Sequence, residues 1–182
     1  MNTGDDMHTL GEAAEEFLAQ QRIAVAGVSR DTRQPANLIY RRLRERGHEV
    51  YAVNPAAGEV EGGDRCFASV GTVPAKLDGV VVVTPPEATA GVVEECAAAG
   101  VPRVWIHRGI GPGSTSEPAV AYCREQHISV IPGGCPNMFG ATSDPGHRCI
   151  RAALAVTGKL PRRIEYPALS ERPAASAPRP AD

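Results

Sequence analysis

The stretch Arg22-Ile-Ala-Val-Ala-Gly-Val-Ser-Arg-Asp31 decides the fold and locates the first candidate site. Its apolar run is typical of a central parallel strand that is covered on both faces. Gly27 ends this strand, and a helix is predicted to follow from Pro35, which suits a first helical position. A helix N-terminus offers unpaired N–H groups and a positive dipole end, so the turn is suited to an anionic group. Arg30 and Arg33 add positive charge there.

Composition narrows the classes of protein to which this chain can belong. It has 182 residues and a formal net charge of −2, which predicts one globular domain without a broad basic surface. No apolar run approaches the roughly 20 residues that cross a bilayer. The acidic start MNTGDDMHTL lacks the segments of a signal peptide. We therefore expect a cytoplasmic protein that binds neither nucleic acid nor membrane.

Helices and strands are predicted to alternate along the chain. The predicted helices span residues 9–20, 35–46, 85–99, 116–126 and 144–158, and the strands span residues 23–26, 49–53, 65–67, 80–83, 101–107 and 128–131. This order predicts an α/β fold with a doubly wound parallel sheet in three αβα layers. We expect a single domain over residues 9–166, between a disordered N-terminus (1–8) and a disordered Pro/Ala-rich tail (167–182).

The third helix is predicted from its first residues. Thr84 and Glu87 have the spacing of a capping box, which starts a helix directly after the β-like run at residues 80–83. Within this helix Ala88, Val92 and Cys96 share one stripe, which is predicted to be its apolar face.

The carboxyl ends of parallel strands meet at one edge of a sheet, and ligands bind along that edge. The ends of the five longer predicted strands all carry glycine or proline: Gly27-Val-Ser-Arg30, Val53-Asn-Pro55, Thr84-Pro-Pro86, His107-Arg-Gly109 and Gly133-Gly-Cys-Pro136. Proline also serves simply to stop strands, so the collective pattern is stronger evidence for a site than any one turn.

NADP is one candidate ligand for this edge. The full G-x-G-x-x-G turn is absent, and the second strand ends in Asn54-Pro55 without an acidic residue for a ribose diol. Asn54 can still bond to a ribose or to adenine, and an arginine can meet a 2′-phosphate. An NADP-binding oxidoreductase or sensor therefore remains an alternative.

Several short motifs also occur together in a characteristic order. They are Ala26-Gly-Val-Ser-Arg-Asp31, Asn37, Gly47-His-Glu-Val50, Val53-Asn-Pro55, Val83-Thr-Pro-Pro86, Val104-Trp-Ile106 with Gly109-Ile110, and Cys135-Pro136. Each motif is weak alone. Their order and spacing, over about residues 15–140, resemble the small bacterial CoA-binding proteins, whose Rossmann-like domain is similar to the CoA-binding domain of the succinyl-CoA synthetase alpha subunit.

This resemblance implies a site for coenzyme A or an acyl-CoA on the strand-end loops. The pyrophosphate would meet the glycine turn, the adenosine would meet the second strand end, and pantetheine would follow the loop after the fourth main strand. The corresponding residues, in that order, are Gly27, Val28 and Ser29; Val53, Asn54 and Pro55; and Gly109 and Ile110. The resemblance also places Thr84, Pro85 and Pro86 beside the ligand.

Arginines are expected to meet the phosphates of CoA, because a guanidinium can bond phosphate through two N–H groups. Arg30 or Arg33 would lie near phosphate in the glycine turn. Arg33 and Arg41 are equal candidates for the 3′-phosphate. Asn37 belongs to the same set of binding candidates through its place in the motif order.

Cys135 carries the catalytic alternative, a thiol-dependent enzyme or redox protein. Backbone N–H groups of its glycine turn could lower the pKa of the thiol, and His147 could act as a base. Together with Cys149 these residues could also hold zinc, but their spacing fits no common zinc motif and a fourth ligand is missing. We expect Cys135 to pack beneath the site, with no catalytic residue and no metal, and we expect Cys96 and Cys123 to be core residues.

The sequence thus predicts a CoA-binding protein without catalysis of its own. Binding would serve CoA sensing, carriage or regulation, and a protein partner would be compatible with each role. The oligomeric state is left open between monomer and homodimer.

Overall fold

The computed structural model of the chain describes residues 7–109, 111, 113–140, 143 and 145–170. The strands are β1 (Met7–Thr9), β2 (Arg22–Ala26), β3 (Glu49–Val53), β4 (Glu59–Val60), β5 (Asp64–Phe67), β6 (Gly79–Val82), β7 (Arg103–Ile106), β8 (Ser129–Pro132) and β9 (Arg163–Glu165). The helices are α1 (Leu10–Leu18), α2 (Pro35–Glu45), α3 (Pro86–Ala98), α4 (Glu117–Glu125), α5 (Pro145–Val156) and α6 (Pro167–Ser170). No helix in this part of the chain is long and apolar enough to span a membrane.

The main sheet has seven strands in the order β4-β5-β3-β2-β6-β7-β8. Every pairing is parallel except that of β4 with β5, which is antiparallel. The predicted α/β fold with its doubly wound sheet is confirmed. From β2 the chain first builds outward through β3 and β5, and then crosses to the other side through β6, β7 and β8. The strand order therefore reverses between β2 and β6, which is where such folds bind ligands.

Two apolar cores cover the two faces of this sheet. The side chains of β2 alternate between them: Ile23 and Val25 belong to the core that contains α1 and α2, and Ala24 and Ala26 belong to the core that contains α3 and α4. This alternation is the period of two that a strand imposes on its side chains. Trp105 is fully buried in the first core.

The structure differs from the prediction at both ends of the described chain. Met7 and His8 were expected in the disordered N-terminus, but they belong to β1, which pairs antiparallel with β9. The first four residues of the expected tail form α6. The remainder of these two segments, residues 1–6 and 171–182, lies outside the described residues.

A buried polar cluster holds the segment after α5 against the sheet. The Glu16 carboxylate accepts hydrogen bonds from Arg103 Nε at 3.0 Å and from Arg103 Nη2 at 2.9 Å. It also accepts one from the Tyr166 hydroxyl at 3.0 Å. Because a buried carboxylate is costly unless it is paired and hydrogen-bonded, these contacts explain how Glu16 is tolerated in the core.

The first turn and the buried face of α3 both differ from the prediction. Pro85 is the N-cap and makes no side-chain capping bond, so the predicted capping box of Thr84 and Glu87 does not form. Pro85 itself precedes a proline and has φ −54° and ψ 147°, outside the helical region, so the helix begins only at Pro86. The buried residues of α3 are Thr89, Val93 and Cys96, so Cys96 is buried as predicted, whereas Ala88 is exposed and Val92 is only partly buried at the margin of the core.

Candidate functional site

A cavity of about 550 Å³ lies at the carboxyl ends of β2, β3 and β6, where the strand order reverses. Three of the strand-end loops singled out in the sequence meet there. The predicted site residues that line the cavity are Gly27, Ser29, Val53, Asn54, Pro55, Thr84 and Pro85. Val28 is buried in the core beneath its turn, and Pro86 occupies the first position of α3.

Further lining residues were not predicted from the sequence: Gln34, Ala68, Ala88, Gly91, Val92 and Glu95. Four of them come from one face of α3. Their spacing of three and four residues was a usable signal, because residues at that spacing share a helix face. The predicted apolar stripe obscured it by assigning Ala88, which is exposed, and Val92, which is only partly buried, to the side that packs on the sheet.

Gly27 is required by the fold itself. Its φ angle is +105°, a region that L side chains rarely adopt, and its N–H donates to Val53 O at 2.8 Å. A Cβ at this position would lie 2.4 Å from the carbonyl oxygen of Val83. The turn therefore passes so close to the end of β6 that any side chain would collide with backbone.

Asn37 fixes the conformation of the same turn. It is fully buried, its Oδ1 accepts from Ser29 N–H at 3.0 Å, and its Nδ2 donates to Ser29 O at 2.7 Å. The Nδ2 group also donates to Glu61 Oε1 at 3.0 Å. Since the amide is engaged by the turn and by Glu61, Asn37 holds the glycine turn in place.

Asn54 joins the glycine turn to the loop after β3. Its Nδ2 donates to Val28 O at 2.8 Å, and its Oδ1 accepts from Ala56 N–H at 2.9 Å. Its backbone N–H donates to Phe67 O, at the end of β5, over 2.8 Å. The loops after β2 and β3 are thus braced against each other by side-chain amides.

Two of the three candidate arginines are paired with carboxylates. Arg33 bonds to Asp31 through Nε at 2.9 Å and through Nη2 at 3.1 Å, and these bonds lower the pKa of Asp31. Arg41 forms an ion pair with Glu61 and donates to Thr32 O at 3.1 Å. Both guanidinium charges are therefore already neutralised by carboxylates of the protein.

Arg30 is placed differently. Its Nη2 donates to the carbonyl oxygen of Ala56 at 3.3 Å, and no carboxylate among the described residues forms an ion pair with it. The side chain is exposed and borders a second, open cavity of about 620 Å³, together with Thr32 and residues 58–63. Arg30 therefore presents a guanidinium without an ion-pair partner among the described residues beside the loop after β3, in a cavity that Glu59 and Glu61 also line.

Thr84 lies where β6 meets α3. Its Oγ1 is 3.3 Å from Thr89 Oγ1, and the buried Thr89 hydroxyl donates to Ser114 O at 2.9 Å. Thr84 is thus the outer member of a short hydroxyl chain that runs from the cavity into the core. The hydroxyl of Thr84 remains able to accept a further hydrogen bond.

The described residues of the loop after β7 do not line this cavity. A Cβ added to Gly109 would contact the ring of His107 at 3.7 Å, and Gly109 does not border the cavity. Burial, with a smaller effect of the His147 charge, lowers the pKa of His107 to about 4. Ile110, the second predicted residue of the pantetheine path, lies outside the described residues.

The cysteines are mostly core residues. Cys96 and Cys123 are fully buried as predicted, and burial raises the pKa of Cys123 to about 12. Cys135 is also buried, close to Arg46, which donates to Pro136 O at 3.3 Å. Among the described residues no three His, Cys, Asp or Glu side chains are arranged to hold a metal ion.

These features define a class of α/β protein with a nucleotide-sized cavity at the switch point of its sheet. Comparison with known proteins identifies the family: residues 21–141 match the CoA binding domain family, and the chain belongs to it. The family expected from the sequence motifs is therefore confirmed.

Relatives with assigned names differ in length from this chain. It is 31% identical to subunit alpha of acetate–CoA ligase [ADP-forming] I from Pyrococcus furiosus, over 81% of this chain and 33% of that protein. It is 27% identical to the uncharacterized protein YneT of Bacillus subtilis, over 66% of this chain and 85% of that protein. The chain thus spans about a third of the ligase subunit.

Solved structures share the same fold. A hypothetical protein from Pyrococcus horikoshii, 24% identical, superposes with a TM-score of 0.63 over 83% of this chain and 97% of that one. A Thermus thermophilus protein, 30% identical, superposes with a TM-score of 0.58 over 66% of this chain and 88% of that one.

Proposed function

We propose that this chain binds coenzyme A or an acyl-CoA in the cavity at the carboxyl ends of β2, β3 and β6, without catalysis of its own. The observation that carries the proposal is the meeting of three predicted loops around one cavity of about 550 Å³ in a member of the CoA binding domain family. Such a cavity is of the size that small-molecule ligands and cofactors occupy.

The pyrophosphate is assigned to the glycine turn between β2 and α2. The N-terminus of α2 follows this turn, and helix N-termini favour anionic groups through their N–H donors and dipole. Asn37 and Asn54 hold the turn with bonds of 2.7–3.0 Å, so little ordering is needed when a ligand binds. A site organised in advance loses less conformational entropy on binding than a flexible one.

The adenosine is assigned to the part of the cavity between the loop after β3 and α3. Its walls there are mainly apolar and include Val53, Pro55, Ala68 and Val92. In folds of this type the end of the second strand holds the ribose, and an arginine nearby accommodates a phosphate on that ribose.

Arg30 is the proposed partner of the 3′-phosphate. It reaches the loop after β3 through Ala56 O, and it is not neutralised by a carboxylate of the described residues, whereas Arg33 and Arg41 are. This assignment revises the choice between Arg33 and Arg41 that the sequence left open. The exact role of binding is proposed to be CoA sensing, carriage or regulation of a partner.

Isothermal titration with CoA, dephospho-CoA, NADP and NAD tests the proposal. Gly91→Leu is the blocking variant, because Gly91 borders the cavity and a Cβ there meets nothing within 4 Å. We expect Gly91→Leu to weaken CoA binding at least about tenfold while its melting temperature is retained. Glu94→Leu, on the exposed side of the same helix, is the matched control and should bind CoA normally.

Arg30→Gln extends the same titration to the 3′-phosphate. We expect about tenfold weaker binding of CoA, the equivalent of one charge-assisted hydrogen bond, and an unchanged affinity for dephospho-CoA. Arg33→Gln should alter neither value much. Equal affinity of wild type and Gly91→Leu for CoA would reject this cavity, and binding of NADP with no response to CoA would favour the oxidoreductase or sensor alternative.

A further inference from the structure

Glu95 lies at the far end of the candidate cavity, on α3. It also borders a neighbouring cavity of about 370 Å³ that lies beside the 3₁₀ helix Val70–Thr72. Its Oε2 accepts a hydrogen bond from the backbone N–H of Val70 at 2.9 Å. This bond fixes the carboxylate between the two cavities, and Val70 is its hydrogen-bond donor among the described residues. No hydrogen bond to Oε1 is formed among the described residues, so this oxygen can accept one from a ligand.

The surroundings of Glu95 suit a flat aromatic base. Ala88, Gly91 and Val92 precede it on the same face of α3, and Ala68 lies across the cavity. Glu95 is about two helical turns beyond Ala88, which places it away from the glycine turn at the start of α2. The polar side chains Ser29 and Asn54 belong to the opposite, strand-end side of the cavity, so Glu95 is the charged group at the base end.

We propose that Glu95 selects adenine in this cavity by accepting a hydrogen bond from the 6-amino group of the base. The proposal rests on the nucleotide binding put forward above, and it adds the feature that chooses the base. An ionised carboxylate is an acceptor only. The amino group of adenine donates to it, whereas the 6-oxo group of hypoxanthine presents lone pairs to it.

The charge of Glu95 also orients the ligand. A negative carboxylate disfavours a phosphate at the α3 end of the cavity. Arg30, which follows the lining residue Ser29 and borders the neighbouring open cavity, attracts one on the strand-end side. The phosphates therefore point towards the glycine turn and the base points towards Glu95. A ligand in the reverse orientation would place like charges together at one end.

Glu95→Gln tests this assignment, because an amide can still accept from Val70 and can also donate. Dissociation constants are measured for CoA and for its 6-oxo analogue, with hypoxanthine in place of adenine. We expect wild type to prefer CoA by about tenfold or more, as for a hydrogen bond to a charged group. Glu95→Gln should lose most of that preference, and Glu94→Gln, on the exposed side of α3, should keep it.

The outcomes distinguish failure of adenine selection by Glu95 from failure of the proposed CoA binding. If wild type and Glu95→Gln prefer CoA over the 6-oxo analogue by the same factor, base selection by Glu95 is overturned. The hydrogen bond to Val70 would then be the role of this side chain. Equal affinity of wild type for CoA and the analogue would overturn base selection without any variant, should Glu95→Gln be unstable. If wild type fails to bind CoA, the CoA proposal is rejected, and adenosine and inosine are titrated instead. Tighter binding of adenosine would then support adenine selection. Equal binding of the two nucleosides would reject adenine selection as well.

Discussion

Asn37 and Asn137 are both buried near the carboxyl edge of the sheet, with 0% and 3% of their surfaces exposed, but their amides are used very differently. Asn37 makes bonds of 2.7–3.0 Å to both backbone groups of Ser29 and to Glu61. Neither amide atom of Asn137 has a hydrogen-bond partner among the described residues. The same side chain therefore stabilises one loop and is left unsatisfied in another.

The contrast extends to the two halves of this edge. The β2–β3 edge (residues 27–37 and 53–56) is cross-braced by Asn37 and Asn54. The β7–β8 edge (residues 107–109, 113–115 and 133–140, with Ser143) contains further buried polar atoms, on Arg108, Thr115 and Ser143, that find no partner within the described part of the chain. A buried polar group left unsatisfied costs about 1–3 kcal/mol. Rigidity is thus concentrated where the phosphates and adenosine are assigned, and the cost of unpaired groups is concentrated in the other half.

The largest effect on stability is expected from a substitution of Gly27, which disrupts the β2–β3 edge. We expect Gly27→Ala to lower the free energy of unfolding by about 3 kcal/mol or more, because the new Cβ would combine backbone strain with a collision at Val83 O. Urea denaturation measures the loss. Gly63→Ala is the matched control, since its φ is +84° but nothing lies within 4 Å of the added Cβ.

The control should lose about 1 kcal/mol, the usual cost of a left-handed conformation for a residue with a side chain. Similar losses in the two variants would mean that the turn moves away from β6 without penalty. Because Gly27 supports the fold, its variants are poor probes of ligand binding, and Gly91→Leu serves that purpose better.

The next largest effect is the difference in stability between matched substitutions of Asn37 and Asn137. Asn37→Leu should lower the free energy of unfolding by about 2–3 kcal/mol, since it removes the bonds that hold Ser29 and Glu61. Asn137→Leu should change it by less than about 1 kcal/mol or raise it, because it removes a buried amide to which no described residue bonds. Equal losses, measured by urea denaturation of both variants, would contradict the contrast between the two halves of the edge.

The smallest effect is a pH dependence in the β7–β8 edge. His107 has a folded pKa of about 4 against a reference value of 6.5, so the unfolded chain binds the proton more readily. The neutral ring therefore contributes stability above pH 6.5 that is lost as the pH falls towards 4. We expect about 2 kcal/mol to be lost by pH 5.

Urea denaturation between pH 7.5 and 5 checks this expectation through the difference between wild type and His107→Gln. The variant should show a flatter pH profile, and His127→Asn, at an exposed position, should match wild type. Parallel profiles for wild type and His107→Gln would show that His107 is readily protonated in the folded protein.

Much of the fold could be predicted because its signals are local. The strand at residues 49–53 was predicted with the bounds that the structure gives, and the buried run before Gly27 became the central strand β2. Apolar periodicity and turn residues fix such elements within a few positions. The prediction was wrong for the first turn of α3, where a proline after Thr84 mattered more than the capping-box spacing.

The sequence by itself determined the order of the six parallel strands and of the first five helices, the family and the edge of the sheet at which a ligand is expected, because these follow from short patterns along the chain. It did not predict β1, β4, β9 or α6. Only the tertiary structure decided which groups are available at that edge. Arg41 is neutralised by Glu61, 20 residues away, and Glu95 reaches the cavity through the orientation of α3. Such pairings depend on which distant segments the fold brings within hydrogen-bond distance, and no local pattern encodes that.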